Sequence, residues 1–225
     1  MHGYHCDRRV FIRQKEYFST WYDCKDIDLK GFGDNRFMPK PYSLDDYADD
    51  LILYVKDNCK SLPIIVAHSF GARVVVKALD KGLKISKLVL TGSAGLMPRF
   101  NFKRFAKKVV FKTFKGVMTD KTKQRFYSPD YLKCDPVMRQ SFKLVVNEDL
   151  KPLYKKVDVD TLLVFGKLDK ETPLYMAKKQ RKFIKNSKLI VLKDTGHFCF
   201  IDRADVFNQI VFAFLMGKAQ KNSKI

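Results

Sequence analysis

The sequence predicts an α/β fold: a mostly parallel sheet with helices on both faces, built as one domain over residues 1–225. Three observations predict it. Short apolar runs rich in β-branched residues recur along the chain. Stretches with helical spacing separate them. The runs lack the apolar–polar alternation of a half-solvated strand, so they read as strands covered on both sides.

In chain order, residues 21–28 (WYDCKDID) read as a first strand. SLDDYADDLILYVKDN follows as a helix. Ser43 is its N-cap, acidic residues fill its first turn, and Tyr47, Leu51, Tyr54 and Val55 share one face. Residues 63–67 form a strand, and the helix after Gly71 places Ala72, Val75, Val76 and Leu79 on one face. Further strands are predicted at residues 87–91, 161–166 and 188–193. A helix after Thr172-Pro173 separates the last two, and ADVFNQIVFAFLMGK closes the chain as a helix. Residues 98–157 break the pattern. They are basic and helical in character, with no clear strand, and are predicted to be an insertion within the domain.

Composition narrows the function. The chain is 46% hydrophobic and 30% charged, with a net charge of +20. Its cations are 33 Lys against 11 Arg. Lys is a hydrated point charge, whereas Arg is the usual reader of bases and phosphates, and no nucleic-acid-binding module is visible. No nucleic-acid partner is therefore expected. The five cysteines, Cys6, Cys24, Cys59, Cys134 and Cys199, are scattered and form no CxxC pair, which predicts reduced thiols in a cytoplasmic protein. No apolar run approaches the roughly 20 residues of a membrane span, and the first residues lack the apolar core of a signal peptide. Residues 99–156 carry 16 Lys and Arg against 5 Asp and Glu, more than half of the net charge. Within them, RFNFKRFAKKVVFKTFK reads as an amphipathic helix with an apolar face toward a pocket, or as a contact for anionic lipid.

The chemistry centres on Ala67-His68-Ser69-Phe70-Gly71, at the junction of a strand and a helix. A serine on so sharp a turn projects its hydroxyl above the sheet, and the next backbone N–H, that of Phe70, faces the same space and can bind an oxyanion. Small residues are needed two before and two after the serine, because the turn is crowded. A nucleophilic serine needs a base, and the base an orienting carboxylate. Of four histidines, His197 follows the strand at residues 188–193, and Asp169 follows the strand at residues 161–166. Both lie at the carboxyl end of the sheet, where active sites of parallel sheets form. The order Ser69, Asp169, His197 is nucleophile, acid, base. Asp194, three residues before His197, is an alternative acid, and His68 is expected to pack rather than act as the base. His2 and His5 have metal-like spacing but no third ligand nearby, so neither a metal nor another cofactor is expected.

These residues resemble the α/β-hydrolase family, in particular its small bacterial members with a helical lid. The resemblance rests on His2-Gly3-Tyr4, Asp28 with Gly31-Phe32-Gly33, the pentapeptide around Ser69, Gly166 with Asp169 and Thr172-Pro173, and Gly196-His197-Phe198. It implies that Tyr4 supplies a second oxyanion N–H and that residues 98–157 are a lid, with Phe102, Phe105, Val109 and Phe114 facing inward. The expected activity is that of a serine hydrolase on a carboxylic ester or related acyl bond in a small-molecule substrate, through an acyl-enzyme; the family itself does not fix the bond, since the same constellation serves peptidases, C–C bond hydrolases, lyases and perhydrolases. One departure is Asp34-Asn35, where the family has one residue and then serine after Gly-Phe-Gly. A second is that Met1 directly precedes His2, where the family places a strand beside that of the nucleophile. On this reading the fold is N-terminally truncated, residues 1–8 are poorly anchored, and residues 21–28 lie at a gap. The oxyanion hole is then half-formed, and a weakly active or non-catalytic binding protein is the alternative. Oligomeric state has no signature in the sequence.

Overall fold

The computed structural model describes residues 1–99, 113, 119, 122, 131, 132 and 134–217. Four strands form one parallel sheet in the order β1 (Ile64–His68), β2 (Lys87–Thr91), β3 (Thr161–Gly166) and β4 (Ser187–Leu192). Register pairs Ala67 with Leu90, Leu90 with Leu163, and Val164 with Ile190. All six residues of β3 are buried, as a strand covered on both faces requires.

The two faces carry separate apolar layers. Ile65, Ala67, Leu88, Leu90, Leu163 and Phe165 point into the larger one, which is closed by α2 (Leu44–Asn58), α3 (Phe70–Asp80) and other helices. Val89, Leu162 and Val164 point the other way, against Phe11, Phe18, Phe200, Phe207 and Val211. Those residues come from a 3-10 turn (Arg8–Phe11), α1 (Ile12–Phe18), α7 (Cys199–Asp202) and α8 (Ala204–Leu215). The period of two along each strand thus sorts side chains between the layers. Helix α2 begins where its capping signal lies: the Asp46 N–H donates to Ser43 Oγ, and Asp46 Oδ2 accepts from the Ser43 N–H.

Between β2 and β3 the described residues contain α4 (Pro136–Val146) and α5 (Lys151–Tyr154) and no strand. Phe102, Phe105, Val109 and Phe114 lie outside the described residues. Buried Arg73 on α3 ties α4 down, donating from Nη1 to the carbonyls of Val145 and Glu148 at 3.0 and 2.9 Å. Helix α6 (Leu174–Phe183) crosses from β3 to β4. Among the described residues no helix is long and apolar enough to cross a membrane.

Two expectations are overturned. Residues 21–28 form no strand. They stand across a cavity from β1, and an extended segment with no neighbour to pair with is not a strand. Nor are residues 1–8 loosely held. The Met1 nitrogen donates to Val66 O at 2.6 Å, and the His68 N–H donates to Met1 O at 3.0 Å. His2 is fully buried, its Nε2 accepting from the Leu29 N–H. The Arg8 N–H and Nη1 both donate to the Asp28 carboxylate, which also accepts from the Asp34 N–H. Asp28 therefore closes the Gly31-Phe32-Gly33 loop and clamps the N-terminal segment onto it.

Candidate active site

Ser69 caps α3 immediately after β1, with φ 49° and ψ −107°, a conformation that L-residues rarely adopt. The backbone holds it there: the Ser69 N–H donates to Thr91 O, and Ser69 O accepts from Ala72 and Ala94. Backbone strain of this kind concentrates at functional sites. The serine is half-buried. Its Oγ has no hydrogen-bond partner among the described residues.

His197 and Asp169 meet as a pair. The imidazole Nδ1–H donates to Asp169 Oδ2 at 2.8 Å, which leaves Nε2 as the free lone pair. The Asp169 side chain is fully buried. Burial alone would raise its pKa, but hydrogen bonds and charge from His197 and donors from Thr172 outweigh it and hold the carboxyl below its usual range. Thr172 contributes two of those donors: its Oγ1–H to Oδ2 at 2.8 Å and its N–H to Oδ1 at 2.9 Å. Thr172 was visible in sequence as part of a motif, but its role was not. The signal that could have found it is the Asp-x-x-Thr spacing, a turn in which the carboxylate accepts from the residue three on.

The histidine sits against Gly92, where an added Cβ would lie 3.0 Å from both His197 Nδ1 and its carbonyl oxygen. On another side the His68 ring packs against it, centroid to centroid at 4.6 Å. His68 is itself buried, and Nδ1–H donates to Thr91 O. Burial, aided by the neighbouring His197, pushes its pKa down to about 3, so it is a neutral packing ring at physiological pH. Asp194 is exposed and has φ 57°, and the carboxylate that accepts from His197 Nδ1 is that of Asp169.

The remaining candidates converge on the serine. Gly3 comes so close that an added Cβ would lie 3.3 Å from Ser69 Cβ and 2.9 Å from His68 Cδ2. The loop that carries the Tyr4 N–H therefore runs beside Ser69, with the Phe70 N–H at the start of α3. Neither N–H has a partner among the described residues. The Tyr4 side chain is fixed by Phe32, Phe70 and Phe142 at centroid distances of 4.9, 5.3 and 5.0 Å, and its hydroxyl donates to Met138 O on α4. The His5 ring packs edge-on against the Tyr4 ring, centroid to centroid at 5.0 Å. The two nitrogens of His2 are engaged by Gly3 O and the Leu29 N–H, so its ring is a brace between loops.

A model of the alpha/beta hydrolase family matches residues 22–210. The chain belongs to the alpha/beta hydrolase family. Its relatives include the AB hydrolase superfamily protein YisY of Bacillus subtilis, 23% identical over 95% of this hydrolase and 89% of that protein. A pimeloyl-[acyl-carrier protein] methyl ester esterase of Neisseria meningitidis is 24% identical over 96% of this chain and 76% of its own. Among solved structures, an esterase from Exiguobacterium antarcticum superposes with a TM-score of 0.76 at 20% identity, covering 96% of this chain and 90% of that one. That likeness establishes the fold. The turn that carries Ser69 after β1 and the loops that carry Asp169 after β3 and His197 after β4 all lie at the carboxyl end of the parallel strands.

Proposed function

We propose that this hydrolase cleaves carboxylic esters through an acyl-enzyme formed on Ser69. The observation that carries the reading is the Asp169–His197 pair at 2.8 Å, at the same end of the sheet as a serine held at φ 49° on the turn between β1 and α3. Ser69 Oγ attacks the acyl carbon, and its proton passes to His197 Nε2. Asp169 holds the imidazole in the tautomer that leaves Nε2 free and stabilises the imidazolium that forms. The N–H groups of Phe70 and Tyr4 receive the oxyanion. The alcohol leaves with the proton from His197. Water, activated by the same nitrogen, then releases the acid and regenerates the serine.

Esterases among the relatives and the structural neighbours support an ester over other acyl bonds. The Phe-rich and basic insertion favours an apolar acyl chain, with residues 98–157 as a lid over the pocket. A binding protein on the same fold is the second reading. It is favoured by one observation, that Ser69 Oγ makes no hydrogen bond to His197. Hydrogen bonds of this kind are often long before substrate binds.

A fluorophosphonate probe with mass-spectrometric site mapping separates the two. Labelling of Ser69 that Ser69→Ala and His197→Ala both abolish, together with turnover of p-nitrophenyl esters, supports the enzyme. A folded protein that neither labels nor turns over such esters is a binder.

A further inference from the structure

We propose, on the ester-hydrolase reading above, that Gln180 and Tyr154 are positioning residues: they fix the approach of Ser69 to His197 by holding the loop at residues 92–95, which touches both. Ser69 Oγ makes no bond to His197 among the described residues, so the loop after β2 has to set their separation. It grips Ser69 at both ends. Thr91 O, where β2 meets the loop, accepts from the Ser69 N–H at 3.1 Å, and the Ala94 N–H donates to Ser69 O at 3.3 Å. It also seats the imidazole, since Gly92 packs against His197 so closely that an added Cβ would lie 3.0 Å from Nδ1. A shift of this loop therefore moves Ser69 against His197.

The loop does not set its own shape. Gly92 and Gly95 have φ of 50° and 128°. Glycine has more conformational freedom to lose than any other residue, so the geometry has to be imposed from outside. Gln180 on α6 does this for Ser93: its Oε1 accepts from Ser93 Oγ–H, and its Nε2 donates to Ser93 O at 2.9 Å. Nε2 also donates to the Tyr154 hydroxyl at 3.3 Å, and that hydroxyl donates to Ala94 O. Ser93, Gln180 and Tyr154 are all fully buried. Three of the four bonds end on residues 93 and 94. A buried network in which each donor has an acceptor is rigid and specifies one arrangement.

The same helix serves the acid. Helix α6 begins at Leu174, two residues after Thr172, whose N–H and hydroxyl donate to Asp169. Asp169 in turn holds His197. One helix thus gives the Ser69 loop and the acid–base pair a common frame, and regular elements hold such frames more precisely than loops do.

Two variants of the 225-residue chain test this beside wild type, well below Tm. Gln180→Met keeps the volume and removes the clasp on Ser93. Tyr154→Phe removes only the hydroxyl that holds Ala94 O. Each should lower kcat for a p-nitrophenyl ester, by up to about 100-fold, and leave KM unchanged, because misalignment costs the transition state and not substrate binding. Amide hydrogen exchange at Ser69 and Ala94 should rise several-fold more than exchange along β3 and β4. A network that only stabilises the fold gives other results. Activity would then be lost in proportion to unfolded protein and returned by sucrose, which favours the compact state, and exchange would rise evenly. Any of these overturns the proposal, as does an unchanged kcat in both variants or a loss carried by KM alone. If Gln180→Met does not fold, Tyr154→Phe decides by the same readouts. Exchange is read without ester hydrolysis. A wild type that neither labels at Ser69 nor turns over esters ends the catalytic reading, while the Ser69 and Ala94 amides still decide whether Gln180 and Tyr154 hold the loop.

Discussion

At the scale of single residues, the site's electrostatics rest on the shell around Asp169. Asn at position 169 keeps the shape and loses the charge, and kcat for an activated ester should fall about 10⁴-fold, as steady-state kinetics will show. Thr172→Val removes one donor to Oδ2. Asp169 has its folded pKa below the unfolded value of about 3.9. Its ionisation therefore contributes stability that is complete above that pH and is lost as the pH falls through the folded pKa. The stability gap between wild type and Thr172→Val should be constant near neutrality and shrink below about pH 4, measured by urea melts across pH. Ser69→Gly removes the nucleophile together with backbone strain worth about 1–3 kcal/mol. It should abolish turnover while leaving the urea midpoint unchanged or higher, whereas a fall in the midpoint would show that the turn is unstrained.

At the scale of elements, Arg73 joins α3 to the end of α4 through two carbonyls. Arg73→Met fills similar volume but leaves both acceptors unpaired, and should destabilise the protein by about 1–3 kcal/mol in urea denaturation. No sequence pattern announces this contact, because its partners are main-chain atoms more than 70 positions away. The same distinction separates what could be read from the sequence and what could not. Strands β2 and β3 were legible to the residue, since Lys87–Thr91 and Thr161–Gly166 are apolar runs buried on both faces. Helix α2 was legible from its own capping box. Residues 21–28 have strand-like composition, but pairing is supplied by a neighbour, and the chain places none beside them. The firm seat of Met1 and His2 likewise depends on Val66, Leu29 and His68, which nothing local to the first eight residues indicates. In the candidate site, order and motif point to Ser69, Asp169 and His197, and the structure pairs the last two, while the Thr172 bonds and the His68 ring contact needed coordinates.

At the scale of the molecule, a net charge of +20 sets a field that acts on anything approaching the site. Screening reaches a Debye length of about 8 Å at physiological ionic strength and about 30 Å at 0.01 M. For an ester with a carboxylate at its far end, kcat/KM should fall as salt rises over that range. For an uncharged ester of the same acyl length it should stay level. Parallel salt titrations of both substrates check this, and equal slopes would show that the charge lies away from the approach path.

Strand order has a consequence for how the molecule is assembled. Ile64 with Lys87 and Thr161 with Ser187 are partners across short stretches of chain, whereas Leu88 and Thr161 are separated by nearly three times as much. Closing that longer loop costs about 0.9 kcal/mol more in chain entropy, so the βαβ units β1–α3–β2 and β3–α6–β4 are favoured as early folding units. One unit carries Ser69 and the other carries Asp169 and His197, and the β2–β3 seam is where they join. Two polypeptides divided within residues 100–130 should thus each be silent alone and regain ester turnover when mixed. The rate of recovery would scale with their concentrations, which makes this chain a template for a split reporter.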